Sequence, residues 1–148
     1  MADPYKTELI SGTDKDRTGM LIGAVYNVWS GRELTSAYAA LAWKRDEKIV
    51  GIAVFDNYTG ANINIHIHGP GIMSKRKIKD AYKYAFKQLN CRRITATVSS
   101  ANKSFIQLIN RFGFVYECTI SEYFGTPDAP EDCLVFKLSR EAAEKWME

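Results

Sequence analysis

The sequence predicts a mixed α/β fold built on a mostly antiparallel, twisted sheet with flanking helices. Three observations carry that expectation. Residues 62–68, NINIHIH, alternate strictly, with Ile63, Ile65 and Ile67 on one face and Asn64, His66 and His68 on the other, as a half-buried strand does. Two later segments, one after Ser74 and one after Asn102, carry apolar residues at steps of three and four, as helices packed by one face do. Strand-like and helical segments interleave along the chain, which calls for crossover helices beside an antiparallel half.

Taken in order, residues 11–19 (SGTDKDRTG) are polar and glycine-bounded and read as a loop, with no clear strand ahead of them. Leu21, Val25, Val28 and Trp29 then predict a short helix over about 20–30, ended by Gly31. Residues 36–43 and 48–55 read as a β-hairpin around Lys44 to Glu47, and Gly51 marks a bulge or a close backbone approach. The alternating strand 62–68 follows, broken by Gly69, Pro70 and Gly71. Ser74 caps a helix whose stripe is Ile78, Ala81, Tyr82, Ala85 and Leu89 and which ends near Asn90. Residues 93–98 form a strand. Asn102 caps a helix with Phe105, Leu108, Ile109 and Phe112 inward, stopped by Gly113. A strand over about 114–123, a loop over 125–132, a strand over 134–138 and a short helix over 140–146 complete the chain.

Composition bounds the function. At 148 residues, 46% hydrophobic and 25% charged, the chain suits one globular domain. A net charge of +3 is too small to indicate nucleic acid. Its distribution says more: Lys75, Arg76, Lys77, Lys79, Lys83 and Lys87 crowd a short stretch opposed only by Asp80, a local anion-attracting surface. Cys91, Cys118 and Cys133 are odd in number and form no CxxC pair, so no disulfide framework is expected; Cys91 and Cys133 are read as core fillers. With no apolar run of signal-peptide or membrane-span length, a soluble cytoplasmic protein is expected.

The stretch RRITATVSSANKSFIQLINRFGFVYE, residues 92–117, resembles the GNAT N-acetyltransferase superfamily in its strand, its Asn-led helix and its Gly-Phe entry into the next strand, at Asn102, Leu108, Gly113 and Phe114. The stretch HGPGIMSKRKIKDAYKYAFKQL looks like the acetyltransferase-type proteins encoded by tailed bacteriophages. The resemblance covers roughly 36–138. Residues 1–35 are an atypical start to a single domain over 1–148, in which the family's first strand is missing, displaced or very short.

The resemblance implies acetyl-CoA bound between two splayed parallel strands, 62–68 and 93–98. The pantetheine arm would lie along backbone such as that of Ile67 and His68. The diphosphate would meet Gly69, Gly71, Ser74, Lys75 and Arg76 at a helix start, where free N–H groups and the helix dipole favour an anion. Asn102 would touch the cofactor as well as cap its helix. The loop departs from the family's spaced glycines, and Pro70 has no N–H to give. His66 and His68, the only histidines, are the candidate general bases, since imidazole has a reference pKa of roughly 6.5; structurally inert, hydrogen-bonded histidines are the plainer alternative. A metal is not expected, because no third ligand stands at useful spacing.

Where many family members place a proton-donating tyrosine, this chain has Ile109. Tyr116, Tyr123 or Cys118 would have to substitute, or the thiolate leaves unassisted. Glu122, Asp128, Glu131 and Asp132 are expected to attract a cationic amine to the 125–132 loop. The reading is therefore an acetyl-CoA-dependent N-acetyltransferase acting by direct transfer on an amine, either a small molecule or a protein lysine or N-terminus. The alternative is a non-catalytic phage protein on the same fold, binding CoA or another protein, with Tyr58, Trp29 and Trp146 as surface-patch residues. A homodimer is compatible with both readings; membrane and nucleic-acid partners are not favoured.

Overall fold

The computed structural model describes residues 7–70 and 74–148. Within them the order is β1 (Thr7–Thr13), α1 (Arg17–Ser30), β2 (Tyr38–Arg45), β3 (Lys48–Asp56), β4 (Asn62–His68), α2 (Lys75–Lys83), β5 (Arg93–Ser99), α3 (Lys103–Arg111), β6 (Val115–Thr126), β7 (Ala129–Ser139) and α4 (Arg140–Met147). A π-helical turn, Tyr84–Gln88, extends α2. The strands form one sheet in the order β1-β2-β3-β4-β5-β7-β6. Each neighbouring pair is antiparallel except β4 and β5, which are parallel.

The alternation seen in the sequence sets the layers. Ile63, Ile65 and Ile67 of β4 join Ile94, Ala96 and Val98 of β5, Phe136 and Leu138 of β7, and the inner faces of α2, α3 and α4 in the larger core. The other face carries a smaller core, where Ile22 and Tyr26 of α1 pack on Ala40, Ala42, Ile52 and Val54. His66 is paired with Val54 and His68 with Ile52. Both histidines therefore lie on the α1 side of the sheet.

The helix ends follow the predicted chemistry. Ser74 caps α2 by accepting from the Lys77 N–H, and Asn102 caps α3 by accepting from the Phe105 N–H. Gly31 ends α1 in the left-handed region at φ 74°. The β2–β3 hairpin turns on Asp46 and Glu47, both at positive φ, a two-residue turn whose twist matches that of the strands. Register slips between Trp43 and Lys44, leaving Val50 as the extra residue beside Gly51; the expected bulge is there.

Two expectations are corrected. A strand does precede α1: β1 pairs with β2 from Thr7↔Arg45 to Thr13↔Ala39, so the order begins with a strand rather than a helix, and residues 11–13 are not loop. As an edge strand held through its backbone, it shows no clean apolar alternation. Helix α1 also starts at Arg17 rather than near 20, because Asp16 is its N-cap and accepts from the Gly19 N–H at 2.7 Å. The second correction concerns 125–132. This is no loop but a hairpin end, with Phe124↔Glu131, Gly125↔Pro130 and Thr126↔Ala129 paired. The prolines sit in its turn and at its tip, where a missing N–H interrupts little of the ladder.

Candidate active site

β4 and β5 pair at Asn62↔Arg93, Ile63↔Ile94 and Asn64↔Thr95, and the pairing stops there, although the strands run on to His68 and Ser99. β3 holds β4 out to His68, and β7 holds β5 out to Ser99. Neither strand can close on the other without leaving its outer partner. The joined end is fastened by side chains. Thr95 Oγ1 donates to Asn62 Oδ1 at 2.5 Å, Asn62 Nδ2 donates to Asn64 Oδ1 at 3.0 Å, and Arg93 Nε donates to Thr95 Oγ1 at 3.2 Å. The Arg93 guanidinium then forks onto Glu117 at 2.7 and 3.0 Å. Beyond this end the facing edges of 65–68 and 96–99 have no strand partner among the described residues. Buried backbone donors and acceptors need partners, so this wedge suits a ligand that carries amides.

Two histidines stand on the α1 side of the parted strands. His66 Nε2 lies 2.9 Å from Asp56 Oδ1. A carboxylate only accepts, so Nε2 carries the hydrogen; in the neutral ring the lone pair is then on Nδ1. Tyr26 of α1 lies edge-on to both imidazoles, at 5.8 Å from His66 and 5.2 Å from His68. Burial lowers the pKa of His68 to about 4, and the nearby His66 and Arg32 push in the same direction. His68 is therefore neutral at physiological pH. Asp56 and Tyr26 were not singled out from the sequence. Asp56 closes an apolar strand in the sequence, but only the β3–β4 register, which places it opposite Asn64 and diagonal to His66, reveals the pairing.

The start of α2 is capped as its sequence suggests, Ser74 accepting from the Lys77 N–H. Gly69 leaves β4 at φ 113°. A Cβ there would meet the Val50 carbonyl at 2.7 Å and Gly51 Cα at 2.8 Å, so the expected close approach at Gly51 is its contact with Gly69. Gly71 of the expected phosphate loop, with Ile72 and Met73, lies outside the described residues. Lys75, Arg76 and Lys79 line a groove of about 680 Å³ together with Lys145, Trp146 and Glu148 at the end of α4. The Arg76 guanidinium also donates to Thr7 Oγ1. Ile67 points into the core and offers the wedge only its backbone. Asn102 is exposed and occupied as a cap.

The candidate proton donors are spread out. Ile109 is 1% exposed, inside the main core. Tyr116 is exposed on β6, packs on Phe136 and shares a 2.7 Å hydrogen bond with Thr119 Oγ1. Phe136 belongs to the core on the face opposite the histidines, so Tyr116 stands across the sheet from them. Tyr123 is exposed beside Phe124. Arg32, whose charge reaches His68, stacks over that Phe124 at 4.3 Å. Cys118 is exposed on β6. Of the expected acidic cluster, Glu131 accepts from Ser99 Oγ at 2.6 Å and Asp132 accepts from the Glu122 N–H at 3.0 Å. Those two carboxylates hold strands together, while Glu122 and Asp128 stay exposed. Among the described residues no group of three or more His, Cys, Asp or Glu side chains could hold a metal ion.

No family model matches the chain, and no curated protein matches it. Solved structures do. Mutant forms of the spermidine/spermine N-acetyltransferase SpeG from Vibrio cholerae superpose with a TM-score of 0.72 at 17% identity, covering 95% of this chain and 100% of that one. The same enzyme in complex with CoA and spermine gives 0.71 at 17% identity, over 92% of this chain and 98% of that one. Its dodecameric form gives 0.70 at 17% identity, over 95% and 96%. At such identity the likeness is one of architecture: over nearly its whole length, the chain has the fold of the GNAT N-acetyltransferases.

Proposed function

We propose that this protein is an acetyl-CoA-dependent N-acetyltransferase that passes an acetyl group directly to an amine. One observation carries the reading: β4 and β5 part after Asn64 and Thr95, and the parting opens beside the His66–Asp56 pair. The solved relative bound to CoA and spermine supports it.

The residues present fit acetyl-CoA. The free edges of 65–68 and 96–99 suit the amides of a pantetheine arm. Lys75, Arg76 and Lys79, at the start of a helix, suit its phosphates. When bound, acetyl-CoA supplies an activated acyl carbon with a thiolate leaving group. The protein's part is to orient the amine and to take its proton. His66 Nδ1 accepts that proton as the new C–N bond forms, while Asp56 holds the ring and steadies the cation that results. His68, kept neutral, adds no repelling charge beside an incoming ammonium, which gives one proton to solvent before its lone pair attacks. The departing thiolate, with a reference pKa near 8.5, leaves unassisted or takes a proton from Tyr123.

The test is calorimetry with acetyl-CoA, followed by chromatographic detection of free CoA across a panel of polyamines, small amines and lysine peptides. Chromatography is preferred because a thiol dye would also label exposed Cys118. Binding with turnover on an amine supports the reading; absence of any acetyl-CoA binding overturns it. A second reading, a CoA-binding protein without catalysis, is favoured by Ile109 lying where the family's tyrosine would stand. Binding without turnover on any amine would select it.

A further inference from the structure

From Thr18 to Gly31 the chain reads TGMLIGAVYNVWSG, with no charged side chain. Nearly all of it is α1. A surface helix normally turns a charged face to water, and this one does not. Its inner side, with Gly19, Ile22 and Tyr26, is buried against the sheet. Its outer side is apolar as well: Met20 is 62% exposed, Leu21 51% and Val28 78%. At the helical period, Arg17, Met20, Leu21, Ala24 and Val28 fall in a stripe about 100° wide, opposite Ile22 and Tyr26. The described elements that α1 packs on most, β1 to β4, lie on its inner side.

We propose that this stripe is a homodimer interface, with α1 packed antiparallel on α1 of a second copy across a two-fold axis at Ala24. The stripe is complementary to itself in that direction. Met20 of each copy meets Val28 of the other, and the small Ala24 at the centre lets the helices approach closely. The charges at the two ends also match. Asp16 and Arg17 precede the apolar run, and Arg32 and Glu33 follow it. Antiparallel packing brings Arg17 to the negative end of the other helix and toward its Glu33, while Asp16 stays engaged as the N-cap and Arg32 over Phe124. Parallel packing would set like charges together. A membrane surface fits less well, because a helix lying on lipid carries basic residues along its polar face and α1 has none past Arg17.

The interface is small. A helix of 14 residues is about 21 Å long, and one such pair buries less than a standard interface of roughly 1,600 Å². The dimer is therefore weak and concentration-dependent, and it does not depend on the catalytic reading.

Sedimentation of the full chain from low to high micromolar concentration tests it. The expected result is a monomer–dimer equilibrium in the parent, lost in Val28→Glu with an unchanged circular dichroism spectrum. Ala24→Cys, made in a Cys118→Ser background, should cross-link to itself under mild oxidation, while the background alone does not. A parent that stays monomeric throughout overturns the proposal. So does a Val28→Glu variant that dimerises like the parent, or an Ala24→Cys variant that fails to cross-link. Vesicle binding by a monomeric parent would reassign the stripe to lipid.

Discussion

Asp56 Oδ1 lies 2.9 Å from Nε2 of His66, one strand over on the sheet face that α1 covers. This contact fixes which imidazole nitrogen is free. Asp56→Asn keeps the shape but allows an amide N–H to donate to Nε2, turning the hydrogen to Nδ1. If His66 is the base, kcat falls on the order of 10²-fold while acetyl-CoA affinity is unchanged. Steady-state kinetics beside calorimetry check this, and nitrogen chemical shifts of the imidazole report the tautomer.

His68 links stability to pH. Its pKa is lowered from 6.5 to about 4, chiefly by burial. The unfolded chain thus binds the proton more readily than the folded one. The resulting stability is present in full above about pH 6.5 and is lost as pH falls toward 4. The ring is partly open to solvent, so the full shift is discounted to roughly 1–2 kcal/mol. His68→Gln should be less acid-sensitive than the parent across that window. Chemical denaturation at several pH values, compared between the two proteins, measures the difference.

Gly69→Ala should be strongly destabilising. Its Cβ would fall 2.7 Å from the Val50 carbonyl oxygen and 2.9 Å from Trp29 Cζ3, on a residue at positive φ. The dihedral alone costs about 1–3 kcal/mol, and the backbone contact cannot yield as a flexible side chain would. A melting temperature lower by several degrees is expected. A stability within error of the parent would show that the strand exit tolerates a side chain.

Ile109→Tyr restores the residue type that the family resemblance expects, yet it should not raise activity. Ile109 is packed in the core. A phenol there overfills the space, at a cost of about 1–3 kcal/mol, and its hydroxyl points among apolar side chains. Lower stability with no gain in kcat is the expected pair of results. Increased turnover would mean that the position reaches the wedge.

Most of the fold was legible because local chemistry fixed it. The β4 pattern, the caps at Ser74 and Asn102 and the stop at Gly31 depend on a few neighbouring residues, and each is where the sequence puts it. β1 was not legible, because an edge strand is held by backbone pairing that leaves little apolar pattern. The 125–132 hairpin was hidden by its prolines, which signal loops more often than strand ends. In the site, the histidines and the basic helix start were readable as residue types. Their partners were not: Asp56 reaches His66 through the register of a hairpin, and Tyr26 reaches both imidazoles by tertiary packing.

The side-chain chain from Asn62 through Thr95 and Arg93 to Glu117 joins β4, β5 and β6, reaching over β7, at one end of the wedge only. It works like a rivet at the joint of a pair of tongs. The jaws are set by β3 and β7 pulling outward, so a guest entering them has little to rearrange. Heat released on binding should therefore come from hydrogen bonds the guest makes to the jaws, with none first broken between them. Loosening the rivet would alter the angle of the jaws without touching their lining.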